Sequence, residues 1–242
     1  MRTEIGRIEA LFRYPVKSMR GEPVETATLG WHGFDGDRRL ALRRLDERGG
    51  FPWLTAGKLP DLLLYSPLHP EGVDAAAVPT HVRTPDGDVL PVFGTALAAD
   101  IGRRLGAPVE MLRLDHGVFD EASVSVITTA TAGEVCALGG TAADARRFRP
   151  NIVVGSSRAV PFDEDRWVGG VLTFGEGDNA PALAVTQRDI RCVMLNFDPD
   201  GGRPAPDMLK AVVRSHQNTA GIYATVTRTG RLAVGQPIVL HG

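Results

Sequence analysis

Glycine and proline interrupt this chain so often that few stretches have room for anything longer than a short strand. The 242 residues include 28 glycines and 17 prolines. Between them stand short runs rich in branched side chains: Asn151-Ile152-Val153-Val154, Gly170-Val171-Leu172-Thr173-Phe174, Ala182-Leu183-Ala184-Val185, Ile222-Tyr223-Ala224-Thr225-Val226 and Pro237-Ile238-Val239-Leu240. Branched and aromatic residues fit a pleated surface, and glycine and proline supply the φ values that turns require. Arg39-Leu40-Ala41-Leu42-Arg43 alternates with period two, and Thr80–Thr84 followed by Pro85-Asp86-Gly87-Asp88 and Val89-Leu90 reads as a hairpin. Only three helices are predicted. Leu97, Ile101 and Leu105 recur at four-residue spacing and end at Gly106; a second helix runs from about Thr131 to Gly139; a third covers Met208 to Val213 after Pro206-Asp207. The expected class is β-rich α+β: an antiparallel β-barrel with helices at its ends, packed against a β-rich N-terminal domain.

With 43% apolar and 23% charged residues, the chain has the composition of a globular protein with a sizeable core. A net charge of −2 and a pI near 6.3 argue against bulk attraction to nucleic acid or to an anionic membrane, so any anion site is local. No apolar run approaches the roughly 20 residues of a membrane span, and Glu4 stands where a signal peptide would begin its apolar region. A cytoplasmic location without membrane or nucleic-acid partners is expected. Arg113 to Ala122 separates the first helix from the next strand, which predicts domains at 1–115 and 116–242. No internal repeat is found, and Ala75-Ala76-Ala77 is too short to count as low complexity.

The phosphate-binding loop, the nucleophile elbow and the zinc-protease helix are all missing, and Gly175-Glu176-Gly177 lacks the third glycine of a dinucleotide fingerprint. The six histidines are scattered, with no pair at metal-ligand spacing. Asp163-Glu164-Asp165 reads as a solvated loop, and Asp198-Pro199-Asp200-Gly201 as a turn. Of the two cysteines, Cys192 follows Arg191 and lies near Arg188. The residues alone leave two readings open for it: a small buried hydrophobe, or a thiolate favoured by the neighbouring guanidiniums and fit to ligate a soft metal.

Four blocks in a fixed order narrow this. Tyr14-Pro15-Val16-Lys17-Ser18, Gly36-Asp37-Arg38-Arg39, Arg147-Phe148-Arg149-Pro150-Asn151 and Arg191-Cys192 through Gly201 resemble the molybdenum-cofactor sulfurase C-terminal (MOSC) family with its N-terminal β-barrel partner domain. The resemblance extends to Phe162–Trp167, Gly221–Ala224 and Leu232–Leu240, and so covers nearly the whole chain. Within the family the chain is most similar to the mitochondrial amidoxime-reducing component and its bacterial relatives.

That resemblance implies a molybdenum ion on a molybdopterin cofactor, with Cys192 as the protein's sulfur ligand and catalytic residue. It places Lys17, Ser18, Arg38, Arg149 and Asn151 along the cofactor, with Thr128 and Thr129 at a helix N-terminus that would favour an anion. Each of these also has an ordinary reading, Lys17 as a surface lysine, Arg149 as an ion-pair partner and Asn151 as a turn residue. The implied reaction is reduction of N-hydroxylated small molecules. Two cysteines cannot hold an iron–sulfur cluster, and neither flavin nor pyridoxal phosphate is expected, so electrons are expected from a separate reductase protein. The alternatives are storage or carriage of the cofactor, and sulfur carriage through a Cys192 persulfide.

Overall fold

The first strand of the chain closes a barrel built mainly from its second half. In the computed structural model, residues 2–70, 78–201 and 204–242 are described; the Ala75-Ala76-Ala77 run lies outside them. The strands are β1 (Arg2–Arg13), β2 (Glu22–Val24), β3 (Thr26–Gly30), β4 (Gly33–Phe34), β5 (Leu40–Arg44), β6 (Ser66–Leu68), β7 (His81–Arg83), β8 (Val89–Pro91), β9 (Val109–Arg113), β10 (Val124–Thr128), β11 (Ile152–Ser156), β12 (Val171–Phe174), β13 (Ala182–Ile190), β14 (Thr219–Arg228), β15 (Gly230–Ala233) and β16 (Pro237–His241). Three α-helices accompany them: α1 (Thr95–Leu105), α2 (Thr129–Leu138) and α3 (Asp207–His216).

The largest sheet runs β11-β10-β14-β13-β12-β16-β1-β2, and β1 also pairs with β11, so the first seven of these strands form a closed ring. β1 can serve both neighbours because its register slips near Glu4 and Gly6 against β16 and near Ile8 against β11. Gly6 has φ +150°, and a Cβ there would lie 2.2 Å from the Gly155 carbonyl oxygen. Only glycine lets the two backbones come that close. Ile5, Ile8 and Leu11 of β1 turn inward to join Val124, Ile152, Leu172, Leu183 and Ile222 in the barrel core.

The buried apolar residues gather in separate clusters. β1 and the buried Leu29 and Phe34 belong to the barrel core, whereas a separate core gathers Val16, Leu40, Leu54, Leu62, Tyr65 and Ile101 around β5–β9, β6–β8 and α1. The chain thus starts in the barrel, leaves it after β4 and returns at β10. The barrel is antiparallel except for β10 and β11, which are parallel. A parallel pair needs a long crossover, and α2 provides it.

The expected helices are present with adjusted ends. α1 stops at Gly106, which takes a left-handed φ of +77° and donates its N–H to Gly102. α3 runs on to His216 and is capped by Gln217 at φ +53°, a non-glycine stop that leaves no sequence signal. α2 begins at Thr129, with the Thr128 hydroxyl oxygen accepting from the Thr131 N–H.

Asp163-Glu164-Asp165 is not a solvated loop. Glu164 is fully buried and accepts hydrogen bonds from the Thr128 hydroxyl at 3.0 Å, the Thr131 hydroxyl at 2.8 Å and the Thr128 N–H at 3.2 Å. Burial raises its pKa despite these donors. A carboxyl at the start of α2 meets the unpaired N–H groups and the positive end of the helix dipole, which is why this acid is folded inward. Among the described residues, no helix is long and apolar enough to cross a membrane.

Candidate functional site

Three site residues share an uncommon backbone state. Ser18, Arg38 and Arg149 have φ of +67°, +50° and +52°, the left-handed region that side chains other than those of Gly, Asn and Asp seldom enter. Such strain persists where the surroundings over-determine it, and here they do. The Arg38 N–H donates to the Tyr14 carbonyl at 2.7 Å and the Tyr14 N–H to Asp37 Oδ1 at 2.7 Å. The Tyr14 hydroxyl donates to the Pro150 carbonyl at 3.1 Å. Three segments distant in sequence, 14–18, 37–38 and 149–151, are therefore locked together.

Tyr14 is buried, and both guanidiniums lie against its ring, Arg38 at 4.7 Å and Arg149 at 4.2 Å from the centroid. The two arginines are not equivalent. Arg38 is ion-paired with the buried Asp37 and donates to the Arg149 carbonyl at 3.2 Å and to Asn151 Oδ1 at 3.4 Å. Arg149 has no carboxylate partner among the described residues, and its Nη2 is buried without a hydrogen-bond partner. Burial, with Arg38 adding to the effect, lowers its pKa to about 10 although the Tyr14 oxygen works the other way. Burial likewise pushes the Tyr14 hydroxyl up to about 12.

These groups face a cavity of about 440 Å³. Its lining includes Lys17, Ser18, Arg38 and Arg149, together with Cys192, Val193 and Met194 and with Ser125, Asp189 and Tyr223. Lys17 Nζ donates to Asp120 Oδ1 at 2.7 Å. Burial lowers the Lys17 pKa, and Asp120 opposes that. The Asp120 side chain is 67% exposed at the rim; its surroundings push its carboxyl up, but the Lys17 charge and hydrogen bond hold it below the usual carboxylate range.

Cys192 is exposed, which removes the buried-hydrophobe reading, and it heads a 3-10 turn over Val193–Asn196. The neighbouring guanidiniums are committed elsewhere. Arg191 is buried, donating from Nε to the Ala220 carbonyl at 2.7 Å and from Nη1 to the Phe148 carbonyl at 2.8 Å, with Nη2 2.7 Å from Asp189 Oδ2. Arg188 pairs with Asp165 at 3.5 Å. Arg191 thus fixes the Cys192 turn to the barrel and has its charge matched by Asp189. Asp189, 1% exposed, also accepts from the Ser125 hydroxyl at 2.8 Å. Its pKa is raised to about 6 by burial, against the opposing pull of Arg191. Nothing in the sequence marks it, because it falls in the polar half of β13, beyond the apolar run at Ala182–Val185.

The site therefore gathers Lys17, Ser18, Arg38, Arg149 and Cys192. Asn151 stands behind the wall: its Oδ1 accepts from the Ser125 N–H at 3.2 Å and its Nδ2 donates to the Phe12 carbonyl at 3.3 Å. Thr128 and Thr129 do not line the cavity. The anion position that they would offer at the start of α2 is filled by Glu164. Asp198 accepts from Arg147 Nη2 at 2.9 Å and from the Asp200 N–H at 2.8 Å, as a turn residue does.

Residues 113–239 match the MOSC domain and residues 5–101 match the MOSC N-terminal beta barrel domain. The chain belongs to the MOSC family. MOSC domains are associated with molybdenum-cofactor proteins. No curated protein sequence matches the chain. Among solved structures, the YUAD protein from Bacillus subtilis aligns over 100% of this chain and 98% of its own, at 15% identity and a TM-score of 0.53. YiiM from Geobacillus stearothermophilus aligns over 50% of this MOSC chain and 54% of its own, at 21% identity and a TM-score of 0.38. The first of these likenesses shows a shared fold spanning both halves.

Proposed function

We propose that this MOSC chain holds a molybdenum ion on a molybdopterin cofactor in the cavity beside Cys192. We propose further that it reduces N-hydroxylated small molecules with electrons from a separate protein. The supporting observation is Arg149: a half-buried arginine with no carboxylate partner among the described residues and a buried, unpartnered Nη2, on the wall of a cavity that also presents an exposed thiol. A buried donor left unpaired is costly, and an anionic ligand would relieve that cost.

The residues fit the group. Lys17, Arg38 and Arg149 would hold its phosphate and the acceptor edge of its pterin through charge-assisted hydrogen bonds, and the Ser18 hydroxyl would add a neutral donor. Cys192 would give a soft thiolate to the metal. No three His, Cys, Asp or Glu side chains among the described residues form a metal-binding group, so an ion at Cys192 must bring further ligands with it, as the dithiolene sulfurs of the pterin do. When bound, the cofactor supplies two-electron redox chemistry and exchange of an oxygen atom.

The exposure of Cys192 leaves that end of the cavity open to substrate. The net reaction consumes two electrons and two protons, cleaves the N–O bond, and yields the amine or amidine and water. Asp189, a lining residue of the same cavity with a pKa near 6, is suited to hold and release a proton near neutral pH through the Ser125 hydroxyl that it binds. With only two cysteines and no nucleotide fingerprint, the chain would take its electrons from a protein partner.

Cofactor-loaded protein supplied with reduced viologen should convert benzamidoxime to benzamidine, followed by chromatography. A fully loaded protein that turns over no N-hydroxylated compound would overturn the reductase reading and leave cofactor storage or carriage.

A further inference from the structure

A second cavity of about 230 Å³ lies on the far side of the wall made by Arg147, Arg149 and Met194. Its lining combines two kinds of surface. Phe12, Pro23, Leu63 and Phe197 make it apolar, and Arg20, Arg146, Arg147 and Arg149 bring four guanidiniums to it. Three of these are matched by carboxylates. Arg20 lies 3.3 Å from Asp200, Arg146 lies 2.8 Å from Asp144 and 2.6 Å from Asp200, and Arg147 lies 2.9 Å from Asp198. Arg149 is the fourth and has no such partner among the described residues, which leaves the lining with one uncompensated positive charge.

The hydrogen-bond inventory points the same way. Arg20 Nε, Arg147 Nε and Arg149 Nη2 are all buried and all lack a partner, and Arg147 is only 7% exposed. Buried N–H groups in native proteins are nearly always satisfied, so donors of this kind around one cavity are open to an acceptor placed in it. One surplus positive charge suits a monoanion; a phosphate dianion would exceed it. Apolar walls call for an apolar body on the same molecule. A dry cavity of about 150 Å³ holds benzene, so this volume admits a single ring with a small polar group attached.

We propose that this second cavity is a binding site for small aromatic monocarboxylates of about the size of benzoate, with the ring against Phe12, Leu63 and Phe197 and the carboxylate toward Arg149, Arg147 and Arg20. Arg149 stands in the lining of both cavities, so the proposal concerns the chain with its first cavity empty, and an anion held by Arg149 there should weaken benzoate binding.

The test uses the intact chain titrated with benzoate by calorimetry or by ligand-observed magnetic resonance. Saturable one-to-one binding is expected. Benzamide, of similar shape but neutral, and benzamidine, of opposite charge, should bind at least about tenfold more weakly, the usual effect of losing a charge-assisted hydrogen bond. Phe12→Trp, which fills the cavity from β1, should abolish binding, and Arg20→Gln, on a half-exposed side chain whose loss the fold tolerates, should weaken it severalfold. Lys17→Ala changes only the first cavity and should leave benzoate affinity intact. The proposal is overturned if benzoate shows no saturable binding up to about 10 mM, well above the usual ligand range. It is also overturned if benzamide binds equally well, or if Lys17→Ala weakens binding while Phe12→Trp and Arg20→Gln do not, because the carboxylate would then sit in the first cavity.

Discussion

The Arg149 guanidinium carbon lies 4.2 Å from the centroid of the Tyr14 ring, and this contact stands where a carboxylate would ordinarily be. An aromatic face steadies a cation without neutralising it, so the charge stays available to a ligand. The ring also carries Arg38 at 4.7 Å, and one side chain thereby positions two cations of the cavity.

Tyr14→Leu should accordingly release both guanidiniums and lower cofactor retention after dialysis by about tenfold, since a desolvated cation–π contact is worth up to about 2 kcal/mol. Tyr14→Phe keeps the ring and loses only the hydrogen bond to Pro150. It should cost about 1 kcal/mol of stability, seen in chemical denaturation, and leave retention nearly unchanged.

Removing a cation has the larger effect. Arg149→Ala and Lys17→Ala should each reduce retention ten- to a hundredfold, as expected for a lost bond of about 1.5 to 3 kcal/mol. Asp120→Asn should do the opposite, because it frees Lys17 from its carboxylate partner. Arg103→Ala, on the exposed face of α1, is the neutral reference. Equal retention in all four proteins would place the cofactor elsewhere.

The pH dependence of stability should carry a signature of Asp189. Its pKa is raised in the folded protein, from 3.8 to about 6, so the folded state holds its proton more tightly than the unfolded chain does. That contribution is fully present below about pH 4 and is lost as pH rises through about 6, by about 3 kcal/mol in all. The unfolding free energy of the wild type, measured relative to Asp189→Asn, should therefore fall between pH 4 and pH 7. A difference that stays constant across this window would contradict a buried, proton-holding carboxyl.

Cys136 gives a contrasting case. It lies on the buried face of α2 with Val135, Phe148 and Met208, and its sulfur donates weakly to the Asp144 carbonyl at 4.0 Å. Cys136→Ser puts a hydroxyl among apolar groups and should cost about 1 to 3 kcal/mol of stability, visible as a lower melting temperature. Cofactor content per folded molecule should not change.

Local features of the fold were legible in the sequence because local chemistry decides them. Leu97, Ile101 and Gly106 mark α1 by spacing and cap, and the Pro85-Asp86-Gly87 turn marks the β7–β8 hairpin. What could not be read depends on long-range packing. The pairing of β1 with strands more than 140 residues away is one instance. Glu164 is another: only the fold brings the start of α2 to it, and alone it looks like one acid among three. The basic residues of the site were legible through ordered motifs, yet the left-handed backbone of Arg38 and Arg149 and the lone charge of Arg149 emerge only when Tyr14, Asp37 and Pro150 meet. Thr128 shows the reverse, since a helix N-terminus signals an anion site and the chain fills that site itself.

The most direct test of the central claim is the molybdenum and pterin content of the protein purified from a host that makes the cofactor. Wild-type protein should carry both at up to one per chain, and Cys192→Ser, with a harder and far less acidic ligand, should lose most of the metal while remaining folded. Protein from such a host that contains neither metal nor pterin, or a Cys192→Ser variant that keeps its full complement of molybdenum, would contradict the account.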